Sequence, residues 1–275
     1  MSATDRSGLL GRPLQVANAG VELFANTLSE QGVPVEPIDW LPPAAGSERV
    51  LARLAAHEAR VAEANDYAVG RLQEAKPMLM GVGRAGELLP DFDRHTLLHA
   101  GPPIDWPDMS GPLRGAVLGA IIYEGLADDA DTAERLAASG ALSFAPCHER
   151  GAVGPMAGVV SASMPMWMIE NVTHGNRAYC TFNEGLGKVL RYGAYDAEVQ
   201  ERLHWLADSL APVMSAALAR LGPLDLRSLI AQALQMGDEG HNRNRACTSL
   251  FLRQLAPLLP ELMLPSAQVA RAAAF

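Results

Sequence analysis

Residues 142–183 read LSFAPCHERGAVGPMAGVVSASMPMWMIENVTHGNRAYCTFN. Four runs inside this stretch, LSFAPC, AGVVSAS, PMWMIEN and RAYCTFN, are apolar or alternating, and Gly, Pro, Asn and His separate them. Runs this short, bounded by turn residues, predict strands rather than helices. Moving toward the N-terminus, PMLMGVG from Pro77 and HTLLHAG from His95 read the same way, as buried strands. Between them and the opening stretch lie GPLRGAVLGAIIYEGLA and DTAERLAAS. The first is a helix whose Gly115, Gly119 and Ala120 permit close packing. The second starts with a capping box at Asp131 and Glu134.

Beyond Asp196 the pattern is helical, over 196–220, 225–236 and 238–257. Residues 14–40 predict strand, helix and strand, with Val21, Leu23, Phe24 and Leu28 at helical spacing and Gly32 at the helix end. LPPAAG then breaks the chain before a long helical stretch over 47–75. Alternating strands and helices predict the α/β class, with α+β as the alternative: a mixed sheet, flanking helices and a helical C-terminal region. By position this gives an N-terminal α/β segment over 1–90, a central α/β domain with the glycine-rich motifs over 91–195, and a helical region over 196–275.

The 275 residues are 49% hydrophobic, enough for one large core or two modest ones. A net charge of −9 argues against nucleic acid and anionic membranes, which attract clustered positive charge. The opening MSATDRSGLLGRPLQV has no apolar core of a secretory signal, and no apolar run is long enough to span a bilayer. Cys147, Cys180 and Cys247 are far apart and form no CxxC pair, which fits a reduced, cytoplasmic protein.

Four polar segments interrupt this scaffold. GVGRAG satisfies GxGxxG at Gly81, Gly83 and Gly86 after a predicted strand, but Pro90 ends the following helix within about two turns. A pyrophosphate-binding helix is therefore not expected, and the glycines predict a structural turn. NEGLGKVLRYG is no P-loop, since Phe182 and Val189 stand where Gly and Ser or Thr are required. Its glycines with Lys188 and Arg191 could still cradle an anion, or form a plain turn. CHERG joins Cys147, His148, Glu149 and Arg150 without metal-ligand spacing, so no metal is expected and a polar pocket loop is.

The fourth segment, QALQMGDEGHNRNRACTSL over 232–250, crowds Asp238, Glu239, His241, Asn242, Arg243, Asn244 and Arg245 between two apolar helices. With Asp238 as cap, Asp238, His241, Asn242, Arg245 and Ser249 would share one helical face, opposite Cys247, Leu250, Phe251 and Leu255. Such a stripe suits an anion or a carboxamide, and equally a structural polar network.

LLHAGPPIDWPDMSGPLRGAVLGAIIYEG, SFAPCHERGAVGPMAGVVSASMPMWMIEN, GNRAYCTFNEGLGKVLRYGA and IAQALQMGDEGHNRN resemble a bacterial domain-of-unknown-function family. That family includes one subunit of oxamate carbamoyltransferase, of anaerobic allantoin catabolism. The similarity runs from about residue 14 to about residue 260. It implies a cytoplasmic subunit of a transferase complex that moves a carbamoyl group between oxalurate, or a similar N-carbamoyl acid, and phosphate. The products are oxamate and carbamoyl phosphate, and a synthetase-like partner subunit is implied within a homo- or hetero-oligomer. Members of the family extend well past Phe275, so the resemblance also implies a further C-terminal portion.

Anionic substrates with planar amides need Arg or backbone N–H groups for the anion and Asn side chains for the amide. The catalytic candidates are His148, Glu184, His241 and Asn242. The binding candidates are Glu149, Asn183, Lys188, Arg191, Asn244 and Arg245. His99 is a further candidate for proton transfer. No cofactor is expected. A non-catalytic scaffold or regulatory subunit, and a metal-assisted amidohydrolase, remain as alternatives.

Overall fold

The structure is a computed structural model and describes residues 14–40, 47–184, 189–241 and 244–273. The chain divides into two compact units, Met1–Val69 and Gly70–Phe275.

In the first unit, β1 (Val16–Asn18) and β2 (Val35–Pro37) pair in parallel around α1 (Glu22–Glu30). The expected strand, helix and strand are present. The apolar spacing on α1 does not mark a core, however, because none of its residues is buried and Leu23 and Phe24 are exposed. Helices α2 (Glu48–Ala55) and α3 (Glu58–Glu74) follow, and the boundary between the units falls inside α3.

The second unit carries two mixed sheets flanked by helices, an α/β architecture. Its strands are β3 (Pro77–Arg84), β4 (Thr96–His99), β5 (Ser143–Pro146), β6 (Ala152–Val153), β7 (Val159–Val160), β8 (Pro165–Asn171), β9 (Arg177–Thr181) and β10 (Leu224–Asp225). One sheet has the order β10-β3-β8-β9-β6, and the other the order β5-β4-β7. Strand β4 runs parallel to β5 and antiparallel to β7. Leu97 and Leu98 are both fully buried, because successive side chains point to opposite faces and helices or strands cover both. Leu97 joins a cluster with Val117, Ile121, Val159 and Leu190. Leu98 joins Ala85, Val160 and Met166 in another. A third cluster gathers Leu79, Val213, Leu218 and Leu255, with Trp167 stacked on Phe182 at 4.0 Å.

The GxGxxG glycines do not form a turn as predicted. Gly81 and Gly83 lie inside β3, paired with Met168 and Met166 of β8, and the helix that follows is only α4 (Ala85–Leu88). A β-carbon at Gly83 would lie 3.0 Å from Leu88, so this glycine lets α4 fold back on the strand rather than admit a phosphate.

Helix α5 (Gly111–Tyr123) packs beside α6 (Ala130–Ala138). The cap of α6 is Asp129, whose carboxylate accepts the Thr132 N–H at 2.7 Å, and not Asp131. Two acids precede Thr132 at cap-compatible positions, and the earlier one gives the helix an extra half-turn.

The predicted helix over 196–220 is α7 (Ala197–Trp205), a π-helical segment Leu206–Leu210, and α8 (Ala211–Leu221). Pro212 has no N–H to give the Asp208 carbonyl one turn back. Gln268, on α11 (Ser266–Ala273), donates its side-chain amide to that carbonyl at 3.0 Å. Helix α9 (Leu226–Gln235) follows. Helix α10 (Arg245–Leu255) begins seven residues later than the predicted start at Asp238. Gly237 and Gly240, at φ 79° and 70°, take left-handed conformations that a continuing helix cannot contain. No helix among the described residues is long and apolar enough to cross a membrane.

Candidate functional site

The carboxyl ends of parallel strands leave room for a ligand, because the connections there turn away from the sheet. In this fold those ends are His99 on β4 and Pro146 on β5, which are register partners. His99 is 1% exposed; its Nδ1 lies 3.1 Å from the Ala100 carbonyl, and its Nε2 meets no described partner. A turn of 3-10 helix, Cys147–Arg150, continues from β5. It buries Cys147 and leaves His148 and Glu149 exposed. Burial pushes the Cys147 thiol up to about 11, which keeps it protonated at neutral pH.

Arg191, on the described flank of the glycine-rich segment after β9, reaches the same edge at Gly158, next to the register partner of His99. Asn183, 2% exposed, donates its amide to the Leu190 carbonyl at 3.0 Å and accepts the Leu190 N–H at 2.9 Å. One side chain thus ties together the two ends of the segment that holds Gly185, Gly187 and Lys188, which lie outside the described residues. Glu184 forms an ion pair with Arg191, whose guanidinium lies 4.9 Å from the Tyr192 ring centre. Arg191 bridges to Gly158, and the Tyr192 N–H donates to the Ala157 carbonyl at 3.1 Å. Ala157 and Tyr192 have φ of 50° and 53°. Each such non-glycine residue costs about 1 kcal/mol or more, and such strain gathers at functional sites. The chain after CHERG and the residues that follow β9 therefore meet at Ala157–Gly158 and Leu190–Tyr192.

Asp238–His241 and Asn244–Arg245 belong to the approach to α10, whose Phe251 and Leu255 join the third cluster. Asp238 and His241 precede the helix, so the predicted stripe with Arg245 and Ser249 on one helical face does not form. Asn242 and Arg243 lie outside the described residues. His241 is exposed and 4.0 Å from Glu239. Asn244 is the residue before α10, and with Arg245, Thr248 and Ser249 it lines an open hollow of about 440 Å³.

Asp238 still serves α10, from a distance. Its carboxylate is 5% exposed and accepts the Cys247 N–H at 3.0 Å and the Gly240 N–H at 2.8 Å. Burial opposes its ionisation, but N–H groups of Cys247, Gly240 and Ala246 outweigh that and hold the carboxyl below its ordinary 3.8. A depressed folded value means stability that is present above the ordinary value and lost as pH falls through the depressed one. Asp238→Asn is therefore expected to lower the melting temperature at neutral pH, with the gap to wild type closing in acid. Melting curves across pH check this, and a gap that widens below the ordinary carboxyl range contradicts it.

Sequence reasoning missed a further cluster. Glu124, 8% exposed at the end of α5, accepts the Ser163 N–H at 2.8 Å and the Ser163 hydroxyl at 2.9 Å. Its own carbonyl accepts from Arg94 at 2.6 Å, and Arg84 of GVGRAG lines the same cleft. The available signal was an acid closing the otherwise apolar GAVLGAIIYEG.

A family model described as oxamate carbamoyltransferase subunit AllG matches residues 142–275. The chain is 44% identical over 254 residues to the uncharacterized protein YahG of Escherichia coli K12, covering 90% of this chain and 54% of YahG. It is 48% identical over 204 residues to the oxamate carbamoyltransferase subunit AllG of the same organism, covering 74% of this chain and 49% of AllG. A crystal structure of a conserved protein of unknown function from Enterococcus faecalis V583 superposes with a TM-score of 0.75 at 44% identity. That match covers 78% of this chain and 52% of the other. The chain spans about half the length of the relatives it matches. Over these spans it is similar to the family that contains AllG and YahG.

Proposed function

We propose that the chain is a subunit of a carbamoyltransferase complex acting on oxalurate, or a similar N-carbamoyl acid, and phosphate. A phosphate oxygen attacks the carbamoyl carbon, the bond to the imide nitrogen breaks, and that nitrogen takes the proton phosphate gives up. Oxamate and carbamoyl phosphate result. The observation that carries this reading is the 48% identity to AllG over 204 residues. The carboxyl edge of β4 and β5 agrees with it, because two glycine-containing segments and several polar side chains meet there. On this reading His148 and Glu184 serve proton transfer, Arg191 and Lys188 the anion, and a synthetase-like subunit is the partner.

A scaffold role is the second reading. It is favoured by the fact that Asn183, Asp238 and the Glu184–Arg191 pair all have intramolecular partners. The deciding measurement is phosphate-dependent breakdown of oxalurate by the co-expressed complex, with and without this chain. Dependence of turnover on the chain, and loss of it in His148→Ala with assembly intact, supports the catalytic reading. Equal rates with and without the chain overturn it.

A further inference from the structure

Arg84 ends β3, Arg94 stands just before β4, Glu124 closes α5 and Ser163 precedes β8. These four distant parts of the chain converge on a cleft of about 390 Å³, joined at its rim by the carboxylates of Glu87 and Asp93. A second hollow of about 190 Å³ shares Arg84, Glu87 and Ser163 and continues to Ala207 and Pro212 at the π-helical segment. Helices widened in this way recur at binding sites, since the extra residue moves backbone off the regular ladder.

We propose that this cleft binds a small carboxylate that also carries amide N–H groups. The buried Glu124 carboxylate is not the ligand's partner, because both its oxygens are occupied by Ser163. Its role is positioning: it fixes the Ser163 backbone and hydroxyl, and the Glu124 carbonyl holds one N–H of Arg94. Arg94 keeps its other N–H groups for a ligand. The Arg84 guanidinium has no hydrogen bond or ion pair with any described residue. Tyr123 donates to the Ser163 carbonyl at 3.4 Å. Its phenol is pushed well above its ordinary value by burial and then by Glu124 and Asp208, with Arg84 opposing, so it stays a neutral donor.

Two guanidinium groups on one cleft match a carboxylate, whose two oxygens accept paired N–H donors. Glu87 is exposed, and only one Asp93 oxygen is engaged, by the His95 N–H and the Thr96 hydroxyl. These acids repel a bare dianion and accept from N–H groups, so the lining selects a ligand with a carboxylate at one end and an amide at the other.

The cleft lies at the amino end of β4, apart from the carboxyl edge proposed above for turnover, and the inference rests on that reading only through the choice of oxamate as probe. Oxamate and oxalate have nearly the same shape and differ in an amide against a second carboxylate. Titration calorimetry on the full chain, with oxamate, oxalate and inorganic phosphate, tests the assignment. Oxamate is expected to bind at least about tenfold more tightly than oxalate or phosphate. Arg84→Ala and Arg94→Ala are each expected to weaken oxamate by at least about tenfold, and Glu87→Gln to erase its preference over oxalate. Melting curves confirm that these exposed substitutions leave the fold intact, and the wild-type ligand comparison decides even if one does not.

Absence of saturable oxamate binding, equal binding of oxamate and oxalate, or unchanged binding in both arginine variants overturns the proposal. Tighter binding of phosphate also overturns it, because the cleft would then be an inorganic oxyanion site. Binding is read on the chain alone and turnover on the complex. An active complex whose chain lacks the cleft affinity therefore removes this inference and leaves the carbamoyltransferase reading standing.

Discussion

Gly115→Ala is expected to destabilise the protein by about 2 kcal/mol even though alanine is the better helix former. A β-carbon at Gly115 would lie 2.7 Å from the Gly193 α-carbon and 2.9 Å from its carbonyl oxygen. Both obstacles are backbone, so neither can rotate away, and either α5 or the turn at Gly193 must shift. Overpacking of this kind costs about 1–3 kcal/mol, and rigid backbone on both sides places it in the upper part of that range. The gain in helix propensity, up to about 1 kcal/mol, offsets only part of it. For a unit of this size the melting temperature should fall by about 4–8 °C. Gly70→Ala is the control: that glycine lies in α3 with nothing within 4 Å of an added β-carbon. It should be neutral or slightly stabilising. Equal melting temperatures for the two variants would show that α5 does not depend on this close approach.

The second large effect is expected at Asn183. Its alanine variant loses two hydrogen bonds at once and leaves the N–H and carbonyl of the fully buried Leu190 unpaired. Each unsatisfied buried group costs about 1–3 kcal/mol, so a loss of about 3 kcal/mol is expected. Asn183→Asp should not rescue it. The carboxylate can still accept the Leu190 N–H, but its second oxygen then faces the Leu190 carbonyl, acceptor against acceptor. Chemical denaturation of the two variants measures this. If Asn183→Asp proves as stable as wild type, the amide is not the clamp that the geometry describes. In the assembled complex, turnover per folded molecule should also fall, because the segment between Asn183 and Leu190 carries Lys188 of the proposed anion site.

The two-sided burial of β4 made its strand legible as a continuous apolar run. Helices α5 and α9 were legible because their apolar periods are bounded by turn residues. What failed to show was whatever depends on partners far along the chain. Glu124 and Ser163 are 39 residues apart, and no local pattern announces that a lone acid at the end of an apolar helix will meet a serine in a later loop. Arg84 sits inside a nucleotide-like glycine pattern, which drew attention to the glycines and away from the arginine. The start of α10 was misplaced for the same reason. Asp238 looks like an ordinary cap beside the helix it serves, yet it reaches that helix across nine residues of chain, over a loop that two glycines bend.

Asp208 follows Ala207, a wall residue of the hollow beside the proposed cleft, while the donor to its carbonyl, Gln268, belongs to α11. The Trp205 indole N–H likewise donates to the Arg271 carbonyl, at 3.3 Å. Trimming the polypeptide before Ser266, by protease or by design, would strip both groups of their partners at a stroke. A nick within Leu262–Pro265, far from Arg84 in sequence, should therefore register as a change in oxyanion affinity. Fusion tags and truncation boundaries placed there would alter the very property that they were meant to help measure.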